Sequence, residues 1–228
     1  MITKLENGRI YDPINKINGK IKDLFIKNGK IIDRPKRNEK ISKIINFKKK
    51  IIMAGGIDIH SHIAGGKVNL ARLLLPEEHR KYLHSSSNIL RSGSGLGTCS
   101  SFHIGYKYAK LGYTAVFEPA VLPSNARSAI IEMSDIPLID KGTYTVLGND
   151  DFLLKLIQKK SNQKKINDYV AWIIQSTKSL GIKIVNPGGI NAFKFNQREL
   201  DLDEKNKKYN ITPRSILKVL TKSLIDLK

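Results

Sequence analysis

Apolar and polar positions alternate in short bursts over the first fifty residues and in a slower rhythm beyond them. Residues 1 to 52 read as short strands joined by turns. Asn-Gly recurs in "NGRI", "NGKI" and "NGKI" at residues 7, 18 and 28, and the pair is a strong hairpin signal because both residues tolerate positive φ. "KDLFIKNGKII" in particular reads as two β segments around such a turn. After residue 52, "GIDIH", "TAVFEPAV", "TYTVLGN" and "GIKIVNP" read as four strands. Between them lie helix-periodic stretches, "FHIGYKYAKLG", "ARSAIIEMSD" and "INDYVAWIIQSTKSLG", the last expected to end at Gly181 as a helix C-terminus. The final "ITPRSILKVLTKSLIDLK" is amphipathic at helical spacing. Strands alternating with helices predict an α/β fold with parallel pairing, either a doubly wound sheet or the opening of a (β/α)8 barrel.

Composition narrows the chemistry. Hydrophobic residues make up 40% of 228, enough for a core. The one cysteine, Cys99, excludes an internal disulfide, a four-cysteine zinc site and a cysteine-ligated iron–sulfur cluster, and a reducing cytoplasmic setting fits it. The first residues lack the apolar stretch of a signal peptide, and no run approaches the ~18 apolar residues of a membrane span. The formal charge of +20 raises the question of nucleic acid. Its lysines are scattered, however, with small clusters at Lys48 to Lys50, Lys159 to Lys165 and Lys205 to Lys208. No RNP motif or zinc finger accompanies them, so a lysine-rich composition or an acidic protein partner is expected, without specific nucleic-acid binding.

The chemistry-bearing stretch is "GGIDIHSHIAGGKVN", residues 55 to 69. On a strand, Asp58, His60 and His62 share one face while Ile57, Ile59 and Ser61 take the other. Two imidazoles there can converge on a metal ion where the strand leaves the sheet, or they can be plain surface polarity, and the spacing alone leaves both open. Elsewhere Cys99 lacks a paired base, His103 sits on a helical pattern beside Phe102 and Tyr106, and His79 and His84 lie in a charged segment. "GSGLG" has neither the preceding strand nor the following Lys-Ser/Thr of a phosphate loop and reads as a mobile segment.

The wider stretch "KIINFKKKIIMAGGIDIHSH" resembles the opening of the barrel in the amidohydrolase superfamily, where a small β-sandwich delivers the chain through a Pro-Gly turn into a first strand ending in His-x-His. Ala54 stands where that turn usually carries proline. The ordered series "HSHIAGGKVN", "RSGSGLG", "GYKYAKLGYTAVFEPAV", "IPLID", "LGND", "KIVNPGG" and "ITP" is similar, more narrowly, to the amidohydrolase-type subunit of formylmethanofuran dehydrogenases and of the related formyltransferase/hydrolase complexes. That resemblance implies a binuclear zinc site bridged by a carboxylated lysine at the end of the fourth barrel strand. In "GIKIVNPGG" the matching residue is Lys183, with Lys194 in "NAFKFN" as the rival. A lysine buried at a strand end more readily offers the neutral amine that takes up CO2.

The resemblance also implies that His60 and His62 hold one zinc and that methanofuran is the one-carbon carrier, formate being exchanged onto and off its amine. Partners would be the other subunits of such a complex, one of them bearing a molybdenum or tungsten pterin in the dehydrogenases. The domains expected are a β-sandwich segment at 1–52 and the first four βα units of the barrel at 53–228. A (β/α)8 barrel has eight strands in roughly 250 residues, so the remaining ligands and the catalytic aspartate would lie in a missing C-terminal half. Two other readings compete: a dihydroorotase or hydantoinase relative acting on cyclic amides, and a non-catalytic basic module for nucleic acid.

Overall fold

A computed structural model describes residues 1–77, 92, 98–198 and 200–227. The chain divides into two compact units, Met1–Gly55 and Gly56–Lys228.

The first unit is one five-stranded sheet. Strands β1 (Ile2–Asp12) and β2 (Ile17–Lys27) form a long antiparallel pair, and β3 (Lys30–Ile32) pairs with β2. Strands β4 (Lys43–Asn46) and β5 (Ile51–Met53) lie parallel to successive parts of β1. The Asn-Gly signals divide here. Asn28 and Gly29, with φ of 50° and 74°, make the two-residue turn between β2 and β3, as expected. Asn7-Gly8 and Asn18-Gly19 instead lie inside strands, where the β1–β2 register slips between Leu5 and Gly8 and between Ile10 and Tyr11. A β-bulge needs the same positive-φ tolerance as a turn, and the two uses share one local signature. A sandwich would need a second sheet; among the described residues of this unit there is one sheet.

The second unit is a four-stranded parallel sheet in the order β6 (Gly56–Asp58), β7 (Tyr113–Val121), β8 (Asp140–Val146) and β9 (Gly181–Lys183). The order follows the chain without reversal, as in a barrel and unlike a doubly wound sheet. Helices α1 (Gly66–Leu73) and α2 (Phe102–Lys110) lie between β6 and β7, and α3 (Ala126–Ser134) follows β7. Two more, α4 (Asp151–Gln158) and α5 (Gln163–Thr177), separate β8 from β9, after which come α6 (Gly189–Lys194) and α7 (Pro213–Asp226).

One sheet face is packed. Val116 joins Ile63, Ala64, Ile104, Met133, Ile136 and Ile139 in one core cluster, and Leu147, Leu153, Leu154, Val170, Ile216 and Leu220 anchor a second around α4, α5 and α7. Thr143 and Thr145, buried on β8, satisfy their hydroxyls against Ser179 and Thr177 at 2.6–2.9 Å. On the other face Phe117 lies opposite Gly142 and Tyr144 opposite Gly181, and the two rings stack at 5.7 Å. Ile57, level with Ala115, is 63% exposed there.

Helix α5 corrects one expectation. It ends at Thr177, capped by Lys178 in the left-handed region (φ 54°), and Gly181 opens β9 instead of closing the helix. Glycine is the usual residue for this cap, yet the Lys178 N–H still reaches the Ile174 and Gln175 carbonyls.

Candidate metal centre

The site is assembled at the C-terminal ends of the parallel strands. The β6 strand stops at Asp58, so the expected shared strand face of Asp58, His60 and His62 does not form. Asp58 turns toward α2, accepting from the Tyr108 hydroxyl at 3.3 Å and from the His60 N–H at 3.0 Å. The Ser61 hydroxyl, then the His60 N–H, hold its carboxyl below the usual carboxylate range. His60 and His62 follow in an irregular segment, with their rings edge to face at 5.2 Å between centroids.

Lys183, the last residue of β9, brings its Nζ to 3.0 Å from His60 Nε2 and 3.2 Å from Nδ1. The loops that follow β8 and β9 are tied together. Asn149, after β8, donates to the Val185 and Asn186 carbonyls and accepts from the Ile190 N–H, and the Gly188 N–H reaches the Gly148 carbonyl at 2.8 Å. Lys194, the rival lysine, ends α6 and lines a separate cavity of about 650 Å³ with Lys67, Asn149 and Ile190.

His62 is supported by a residue the sequence reading missed. Glu118, on β7 and 1% exposed, has its Oε1 3.2 Å from His62 Nδ1. It also accepts from the backbone N–H groups of Ile63 (2.7 Å), Ala64 (3.2 Å) and Ala120 (2.9 Å). A second buried carboxylate, Glu132 on α3, accepts from the Gly65 N–H, Asn69, Arg72 and Ser101, while Arg72 also donates to the Ile63 carbonyl. The signal available in the sequence was an acid inside the apolar run "TAVFEPAV", a placement that requires a dedicated set of donors. Beside His62 opens a cavity of about 410 Å³, lined by Val68, Ala71, Leu75 and Val121 with Lys67 and Asn125.

Among the described residues no group of three or more His, Cys, Asp or Glu side chains converges to hold a metal. What converges is two imidazoles and a lysine. The donor set fits zinc in part: imidazole is a common zinc ligand, and a carboxylate on the remote ring nitrogen is the usual support for one. Cys99 and His103 are buried, the latter in α2. His79, His84 and "GSGLG" lie outside the described residues.

The sequence pattern of the Amidohydrolase family matches residues 43–202. The chain belongs to the amidohydrolase family. It is 38% identical over 216 residues to Protein FwdA of Methanocaldococcus jannaschii, covering 95% of this chain and 37% of that protein. One subunit of the formyltransferase/hydrolase complex Fhc from Methylorubrum extorquens is 36% identical over 220 residues, covering 96% and 39%. In the crystal structure of that organism's FhcABCD complex with methylofuran, one chain superposes with a TM-score of 0.85 at 35% identity, over 99% of this chain and 40% of the other. A dihydroorotase of Elusimicrobium minutum matches 60 residues at 40% identity, 26% of this amidohydrolase chain and 14% of the enzyme. The chain therefore spans less than two-fifths of the length of FwdA and of the matching Fhc polypeptide, and its parallel sheet fits a partial barrel. Among the described residues no helix is long and apolar enough to cross a membrane.

Proposed function

We propose that this chain carries the front half of a binuclear zinc site in a cytoplasmic enzyme that interconverts N-formylmethanofuran with formate and methanofuran in one-carbon metabolism. It would work as part of a multi-subunit formylmethanofuran dehydrogenase or formyltransferase/hydrolase complex. The observation that carries this reading is the meeting of Lys183 with His60, 123 residues apart in sequence, at the ends of β9 and β6. Residues 53–228 then form the first four βα units of a (β/α)8 barrel, and 1–52 form a segment of its accompanying β-sandwich.

Each residue has a defined task. His60 and His62 would hold one zinc through ring nitrogens. Lys183 takes up CO2: its Nζ forms a bond to carbon, a proton leaves to solvent, and the resulting carbamate presents an anionic oxygen pair suited to bridging. When bound, zinc lowers the pKa of a coordinated water and polarises a carbonyl oxygen. The apolar wall of Val68, Ala71, Leu75 and Val121 shelters the substrate side of His62 from water. Lys67, at the border of both cavities, offers a cation to an acidic substrate group.

The competing reading is a dihydroorotase-like enzyme, supported by the short match noted above. Substrate decides between them. The complex purified through this chain should release formate from N-formylmethanofuran and leave dihydroorotate and hydantoins untouched. Turnover of the cyclic amides, with no formate released, would overturn the assignment.

A further inference from the structure

The environment of Glu118 exceeds what holding a loop requires. Each of its oxygens has two nitrogen neighbours: Oε2 takes the Ile63 and Ala64 N–H groups, and Oε1 takes the Ala120 N–H and faces His62 Nδ1. Three of the four are backbone N–H donors that cannot rotate away, so the carboxylate is fixed independently of the imidazole. A carboxylate only accepts, so the nitrogen facing it must carry a proton. In a neutral ring that leaves the lone pair on Nε2, the atom a metal requires. An amide would not reproduce this, because its NH2 would face two backbone N–H groups in one orientation and the Ala120 N–H in the other.

We propose that Glu118 is the positioning residue for His62, setting both its ring orientation and its tautomer so that Nε2 keeps the lone pair a metal would take. The inference rests on the metal-site reading above and extends it to a residue that is not itself a ligand, since four donors occupy its two oxygens. Glu132 supplies the internal comparison. It braces the same loop through the Gly65 N–H and, by way of Arg72, the Ile63 carbonyl, without touching His62. A merely structural role would make the two glutamates equivalent toward metal; a positioning role sets Glu118 apart.

The test uses the chain labelled with 15N-histidine and, separately, titrated with Co(II). In the metal-free chain, long-range 1H–15N correlations should show His62 protonated on Nδ1 and bare on Nε2. Glu118→Gln should abolish that preference and weaken Co(II) binding on the order of 10- to 100-fold, as loss of a carboxylate behind a ligating histidine does. Glu132→Gln should lower stability while leaving tautomer and Co(II) affinity unchanged. His62 protonated on Nε2 in the unsubstituted chain would overturn the proposal, as would equal losses of Co(II) affinity in the two variants. The tautomer is read without substitution, so a Glu118→Gln chain that fails to fold leaves the test intact. Absence of Co(II) binding by the unsubstituted chain would count against the metal site itself, and the tautomer would still decide the role of Glu118.

Discussion

At the scale of single residues, two tyrosines show how burial and a carboxylate partner act together. Desolvation, then a hydrogen bond to a carboxylate, pushes the hydroxyls of Tyr169 and Tyr209 well above the ordinary tyrosine value of 10.0. Tyr169 donates to Asp150 at 2.8 Å and Tyr209 to Asp151 at 2.6 Å. Both favour the protonated form in the fold, so their contribution is fully present below the unfolded value near pH 10. It is lost as pH rises beyond that, because the unfolded chain sheds protons the native one retains. Denaturant midpoints followed from pH 8 to 12 should be level at first and then fall, and Tyr209→Phe should flatten part of the decline. The same substitution should cost roughly 1.5–3 kcal/mol at neutral pH, the worth of a hydrogen bond to a charged group. An unchanged midpoint at neutral pH would show that the bond contributes little. These pairings were not readable in advance, because Asp151 and Tyr209 lie far apart in sequence. His60 and Lys183 posed the same difficulty; resemblance, not periodicity, nominated them as partners.

At the scale of elements, local rules served well where a side chain answers to its own backbone. Thr212 accepts from the Ser215 N–H, the Ser215 hydroxyl lies 3.2 Å from the Thr212 N, and Pro213 opens α7. That start is written in "ITPRS", and the helix buries Ile216 and Leu220 completely. Thr212→Ala should lower stability by about 1 kcal/mol, within the 0.5–2 kcal/mol of other N-cap losses, as measured by urea unfolding; no change would mean that the proline alone sets the start. Local rules fell short where one conformation has two uses. Asn-Gly marks a turn at residue 28 and bulges at residues 7 and 18, and the distinction depends on strand register, a property of the partner strand. Helix α5 ends at a lysine cap that no glycine announces.

At the scale of the molecule, the parallel sheet keeps one face under helices while leaving Ile57 and, just beyond β6, Ile59 at 63% and 64% exposed. Burying such side chains is worth roughly 1.5–3 kcal/mol each, so this face has apolar surface left to pack. The run of strands and helices was readable because each β segment is short, apolar and separated by helical periodicity. The convergence of strand ends was not, since it arises from pairing between β6, β7, β8 and β9. What that convergence is for turns on Lys183. The decisive measurement is 13C NMR of the chain incubated with 13C-bicarbonate and zinc, beside its Lys183→Ala and Lys194→Ala variants. A carbamate resonance should appear with the unsubstituted chain and with Lys194→Ala, vanish with Lys183→Ala, and take most of the bound zinc with it. A carbamate signal and full zinc retention in Lys183→Ala would contradict the site.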